Sequence, residues 1–388
     1  MGRRTFLVSP IVPFLLFAWT GPSLARASDA PPPGAGGIRH NAPPETRKKR
    51  PNTKADDEGE GPTFKKGGRE LEFRKKLGAD FAIKRTHHFF VLYNGDLEVV
   101  KDFIHRLEIT YTAVHRFVAQ MGIDITYPKQ KLPVLFCSDF DEYNARCQQL
   151  AGVGAPSDAA GLYWRFPLDF SIFYDMSQVR FIKETEEKAR KLQEEARAAT
   201  DPGVRRDKSR EARWYLNRID IYQQESNRSV VQHELAHQLL FNLGFHKFDA
   251  DNPQWFVEGM ATLFEPPPGK RGAGFNVINQ HRLGEIREKV AGMSAEQFKS
   301  FIGSPSPGGG MMSSEGYAQS WAICYYLVKR QRKVLPQYVK LIRSRRRGET
   351  ILPKQDVEDF EKCFGRIDEM FVKRWSNYIR KLPYRPPQ

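Results

Sequence analysis

Cysteine is scarce in this chain. Among 388 residues there are four, Cys137, Cys147, Cys324 and Cys363. None stands in a Cys-x-x-Cys pair, which removes a cysteine-built zinc site from consideration. In an exported protein two disulfides are permitted, Cys137–Cys147 and Cys324–Cys363 being the pairings nearest in sequence; four buried thiols are the alternative. Acid is also in short supply, 46 Asp and Glu against 61 Lys and Arg, a formal net charge of +15. The basic runs at Arg47–Arg50, Lys65–Lys66, Lys75–Lys76 and Arg345–Arg347 are scattered and not interleaved with aromatics, so no nucleic-acid partner is expected. The excess reads as a solvated basic surface, with attraction to an anionic surface or cell-wall polymer as the sharper alternative. There is no internal repeat. An uninterrupted membrane-length apolar run is lacking too, because Pro10 and Pro13 break the one from Phe6 to Trp19.

What is there begins with that same segment. A basic start, the apolar run and Ala25-Arg26-Ala27 have the layout of a secretory signal peptide over residues 1–27, which disfavours an uncleaved anchor. The pair Arg3-Arg4 before Phe6-Leu7 partly matches a twin-arginine export signal. The expected location is therefore periplasmic or secreted. Residues 28–85 are rich in Pro, Gly and charge with few large apolar side chains, and are expected to form a flexible basic linker.

Order is expected from "HHFFVLYNG" onward. That stretch reads as a strand, and Leu97, Val100, Ile104, Leu107, Tyr111, Val114 and Val118 then recur at helical spacing. "KLPVLFC" reads as a strand, "DFDEYNARCQQL" as a helix, and "AAGLYWR" and "DFSIFYD" as two more strands. Residues 86–176 thus form an α/β subdomain. Residues 177–227 are strongly charged and helix-favouring, broken at Asp201-Pro202-Gly203, and read as an inserted helical hairpin, a solvated arm or a docking element. Residues 228–388 read as a helical subdomain, with "AQSWAICYYLVKR" as a core helix and "RIDEMFVKRWSNYIRKL" as an amphipathic closing helix. The fold class is α+β.

The chemistry sits in "VVQHELAHQLLFNLG". His233 and His237 are four apart, hence on one helical face, and can direct two imidazoles at one metal ion. Glu234 follows His233 by about 100° around the helix, within reach of a water on that metal. The apolar neighbours Val230, Val231, Leu235, Ala236, Leu239 and Leu240 predict a buried helix. Downstream, "DNPQWFVEGMATLFE" starts a second helix, with Asn252 as the expected N-cap and Pro253 at its first position. Glu258 lies on it, 21 residues after His237. Two histidines and a glutamate make one of the ligand sets of catalytic zinc, which keeps a fourth position open. Gly259 and Ala261 are expected to let the two helices approach closely. His246 reads as a surface loop residue.

"HELAH" followed by "PQWFVEGMA" resembles the gluzincin metallopeptidases, whose third zinc ligand is a glutamate on a second helix. The chain is most similar to an exported bacterial family of unknown function with a peptidase-like domain of that superfamily. The stretches from "HHFFVLYNGDLEVVKDFIHRL", through "YAQSWAICYYLV", to "FEKCFGRIDEMFVKRWSNYI" carry the likeness over roughly His87 to Tyr378. The resemblance implies a zincin-like fold and one Zn2+ per chain held by His233, His237 and Glu258. It also implies Glu234 as general base, Tyr317 as the donor to the oxyanion, and a peptide or protein substrate. A catalytically silent, zinc-stabilised binding or scaffold protein is the rival. The chain departs from relatives of the motif in three ways. Leu240 and Leu243 stand where a metzincin has glycine and histidine. The Gly-x-Met-Glu-Asn motif of aminopeptidases is absent. Thr262 stands where some gluzincins place an acid that orients a ligand, so the partners of the histidines are left unidentified.

Overall fold

The computed structural model describes residues 68–385 apart from 79, 156–158, 176–179, 267–273 and 305–311. The expected signal segment and the linker up to residue 67 lie outside them. No described helix is long and apolar enough to cross a membrane.

The fold is α+β, with a mixed sheet in the N-terminal part and helices after it. Its strands are β1 (Ala82–Arg85), β2 (Phe89–Tyr93), β3 (Leu132–Cys137), β4 (Gly161–Trp164) and β5 (Phe170–Tyr174). They lie in the order β1-β2-β3-β5-β4. The pairs β2–β3 and β3–β5 are parallel; β1 and β4 run antiparallel at the two edges. Nearly every residue of β2, β3 and β5 is buried, so both faces of the sheet are covered and the strands read as continuous apolar runs. The strand "DFSIFYD" is not at an edge of the sheet and offers none to an extended peptide. That stretch is β5, parallel to β3, and the hairpin returning through the β4 sequence puts β4 outside it.

The helices are α1 (Gly68–Leu77), α2 (Leu97–Gln120), α3 (Phe140–Ala151), α4 (Arg180–Ala198), α5 (Pro202–Asn242) and α6 (Gln254–Thr262), then α7 (Gln280–Ile286), α8 (Ala295–Ile302), α9 (Ser314–Arg330), α10 (Leu335–Arg343), α11 (Pro353–Phe364) and α12 (Glu369–Arg380). Asp96, Asp139 and Asp201 cap α2, α3 and α5 by accepting backbone N–H bonds. Two elements, α1 and β1, fall where a linker was expected to run to residue 85. Phe73 and Leu77 of α1 are buried, and the Arg69 guanidinium donates to the Leu168 and Asp169 carbonyls at 2.5 and 2.9 Å. Two apolar anchors four apart and one arginine therefore fix a helix whose other residues are mostly charged.

The hairpin also differs from the sequence expectation. Its second arm does not end near 227 but continues through the His-Glu motif as one 41-residue helix, about 60 Å long. Between Val204 and Asn242 there is no Gly or Pro to stop it. The arms pair antiparallel: Lys188 donates to the Tyr215 hydroxyl at 2.5 Å, and Glu195 binds Lys208.

The cysteines are free thiols. Cys137, Cys147 and Cys324 are buried, and burial pushes the Cys147 thiol up to about 12. The sequence-local disulfides are thus not formed. The apolar α9 is buried from Gly316 to Val328, and α12 turns Phe371, Val372, Trp375 and Ile379 inward, both as read from the sequence.

Candidate metal centre

The half of α5 from Ser229 to Phe241 is buried on all sides, so its polar side chains must find partners inside the protein. Gln238 locks it to the sheet, its amide donating to the Pro133 and Asp169 carbonyls at 3.1 and 3.2 Å and accepting from the Ser171 hydroxyl at 3.1 Å. Asp169 is the hub of that lock. It is buried with a φ of 49°, and its carboxylate accepts from the Tyr163 hydroxyl at 2.8 Å and from Asn242 at 3.1 Å. Gly161 lets β4 lie against this helix, since a Cβ there would sit 2.8 Å from Val230 Cγ1 and 2.6 Å from the Phe173 ring.

Helix α6 then brings Glu258 to the two histidines. His237 Nε2 lies 2.9 Å from His233 Nε2, and Glu258 Oε2 lies 3.2 and 3.1 Å from those nitrogens. All three side chains are buried. Tetrahedral ligands at zinc bond lengths would stand about 3.3 Å apart, so the triangle is close to the size a small divalent cation requires. His233, His237 and Glu258 can therefore hold a metal ion, as their spacing predicts. Asn252 is not the side-chain cap of α6; it bonds instead to the backbone of Lys247 and Ala250. Gly259 does serve close packing, but against α9: a Cβ there would meet Ser320 O at 2.4 Å and Cys324 Sγ at 2.5 Å.

Glu234 is fully buried. Its Oε2 accepts the Tyr163 backbone N–H at 2.8 Å, while Oε1 has no partner. Burial raises its pKa well above the ordinary glutamate value, with the neighbouring His233 opposing. A buried carboxylate oxygen without a donor among the described residues is costly.

The partner that orients His233 is Glu265, which the sequence reading missed. Its Oε1 lies 3.0 Å from His233 Nδ1. Arg282 grips the same carboxylate with Nη2 at 2.9 Å and Nε at 3.1 Å, and Asn279 donates to it at 2.7 Å. The expected position of such an acid was four residues after Glu258, where Thr262 instead bonds back to the Gly259 carbonyl. Glu265 stands seven after Glu258, two helical turns on, in a turn held by Gln232 donating to the Phe264 carbonyl at 2.7 Å. The spacing of the two glutamates is the signal that could have found it.

Charge follows this geometry. Burial would depress the His233 imidazole, but hydrogen bonds to Glu258 and Glu265 raise it to about 9. His237 is lowered by burial. Against their burial, Glu258 is held below the carboxylate range by the two histidines, and Glu265 by Arg282 and His233.

Tyr317 is buried and packs edge-on to His233 with ring centroids 5.9 Å apart; the Arg282 guanidinium lies 5.2 Å from its ring centre. His246 is no surface residue: it is 1 % exposed among Phe241, Phe245 and Phe256, and both its ring nitrogens lack partners. A cavity of about 60 Å³ opens on the His237 and Glu258 side, walled by β4 and the residues after it, by Phe241 and by the start of α6.

A search of curated proteins finds no match to this chain. One family model does match, over residues 227–347, a span that contains His233, Glu234, His237, Glu258, Glu265 and Tyr317 but not the sheet. Over that span the chain is similar to the family described as "Protein of unknown function (DUF1570)".

Proposed function

We propose that the protein is a zinc-dependent peptidase. The observation that carries this reading is a buried three-ligand cluster beside a glutamate with one carboxylate oxygen tied down and the other unpartnered. A purely structural zinc site closes its coordination with four protein ligands and needs no base. Zinc held by His233 Nε2, His237 Nε2 and Glu258 Oε2 would supply Lewis acidity, activating water near neutral pH and polarising a carbonyl. Glu234 Oε1 takes the proton of the attacking water and delivers it to the leaving amine. The Tyr163 N–H keeps that carboxylate turned the right way. Glu265 holds His233 in the tautomer that offers Nε2. The developing oxyanion is assigned to Tyr317, whose ring packs against the metal-facing His233. Export to the periplasm or medium is part of the same proposal.

The test is metal content and peptide cleavage of wild type, Glu234→Gln and Glu258→Ala. Wild type should hold one zinc per chain and cleave unstructured protein until chelated. Glu234→Gln should keep the zinc and lose turnover, and Glu258→Ala should lose the metal. Tyr317→Phe should keep the zinc and lower kcat by about a hundredfold. Zinc bound by wild type without any peptide cleavage would favour the scaffold alternative.

A further inference from the structure

The cavity beside the metal cluster holds a cation that the proposed chemistry does not use. Arg165 lies just after β4 and lines the same cavity as His237 and Glu258. Its guanidinium is half-buried, stacked 4.7 Å from the Phe241 ring centre and 5.1 Å from that of Phe166. Its one hydrogen bond is long, 3.4 Å to the Ala250 carbonyl. It makes no ion pair among the described residues: Asp249 is taken by Lys247 at 3.2 Å, and Asp251, though on the cavity wall, is exposed and beyond ion-pair distance. The buried arginine beside the cluster, Arg282, is by contrast paired with Glu265.

Two residues of this wall carry a buried polar atom without a partner among the described residues, the donor Trp164 Nε1 and the acceptor Gln254 Oε1, of which only the first could serve an anion. A partly desolvated guanidinium lying over two rings with no carboxylate paired to it is suited to a planar anion with two oxygens. Size narrows the choice. One water occupies roughly 10–15 Å³ of such a volume, so about 60 Å³ admits a carboxylate with its first carbons and not a bulky side chain.

We infer that Arg165 determines specificity by binding a carboxylate of the substrate, so that the peptide cut at this centre carries a negative charge close to the scissile bond. The identification of the ligand as a peptide rests on the peptidase reading above. The carboxylate has two sources, a free C-terminus or an Asp or Glu side chain, which differ in whether amidation removes it.

The test is calorimetric binding to zinc-loaded Glu234→Gln protein, in which a ligand is bound without turnover. The probes are acetyl-Ala-Ala, the same dipeptide amidated, and an amidated dipeptide bearing glutamate. The free acid should bind about ten- to a hundredfold more tightly than its amide, the range of a charged hydrogen-bonded pair. Adding Arg165→Gln should erase that preference at unchanged zinc content, and Arg165→Lys should keep part of it. Recovery of tight binding by the amidated glutamate peptide would assign the carboxylate to a side chain; weak binding would assign it to the C-terminus. Equal binding of acid and amide by all probes, a preference surviving Arg165→Gln, or no binding of any carboxylate would overturn the inference. Wild-type protein that shows the preference but cleaves nothing would sink the peptidase reading and leave the carboxylate site standing.

Discussion

Glu265 does more than fill a space beside His233. It stands between an imidazole that must offer a lone pair to the metal and an arginine that is buried nearly completely. Removing it by Glu265→Ala leaves the buried Arg282 with only the long contact to Glu285 at 3.5 Å, a change of about 3 kcal/mol to be read from urea unfolding. Zinc affinity should fall about 10- to 100-fold in the same variant. His233 gives a second prediction. In metal-free protein its pKa is about 9, so it is an imidazolium at pH 7, whereas His237 is neutral. Zinc binding at pH 7 should therefore release at least the His233 proton, measurable by calorimetry in buffers of different ionisation enthalpy. Affinity should climb with pH from 7 and flatten above 9. The same shift has a sign for folding: the folded chain binds more protons than the unfolded one between pH 6.5 and 9. Metal-free protein should hold this stabilisation below 6.5 and lose it as pH rises through 9. The ligands were legible because His-Glu-x-x-His and a later helical glutamate are constraints of helix geometry. Glu265 was not, because the expected place for such an acid is four residues after Glu258 and not seven, and Arg165 was not, because it lies beyond β4, where no periodicity operates.

Helix α6 is short, nine residues, and has no side-chain cap, so tertiary packing must hold Glu258 in place. Gly259 is where that packing is closest. In Gly259→Ala the new methyl would meet a backbone carbonyl of α9 at 2.4 Å, which no rotamer change relieves. Destabilisation of about 3 kcal/mol is expected, with weaker zinc binding as α6 shifts; a variant as stable as wild type by urea unfolding would contradict the close approach. Elements with strong periodicity, α2, α3, α9 and α12, lie where the sequence reads them. Helix α1 was not recognised, since "GRELEFRKKL" shows only two buried anchors among charges. The length of α5 was readable only from what is missing between Val204 and Asn242, a glycine or proline.

A metal held by this cluster would join distant parts of the chain, because His233 and His237 stand on the helix that packs against the sheet while Glu258 belongs to the helical half. A ligand shared this way stabilises the entire fold by mass action, about 4 kcal/mol at free zinc a thousandfold above its Kd. Chelation should therefore lower the melting temperature of the chain as a single transition, and zinc should restore it; a Tm indifferent to chelator would contradict the shared site. The α+β class and the order of elements could be read from the sequence. The lateral order of strands could not, since hydrophobic runs tell that β5 is buried but not that β4 folds back to take the edge. Strand order is set by long-range pairing, to which a local pattern is blind.

The arm and the ligands are one helix, and a helix has an azimuth. Each residue inserted into α5 ahead of His233 rotates the arm about 100° around the axis relative to the imidazoles. The antiparallel contacts of Lys188 with Tyr215 and Glu195 with Lys208 demand a matching change in α4. Only additions that complete whole turns, about seven residues in each arm, return the hairpin to the same compass bearing. The length of this arm is in that sense quantised: it can grow or shrink in steps of two turns, while intermediate lengths would swing its outer end to another side of the molecule.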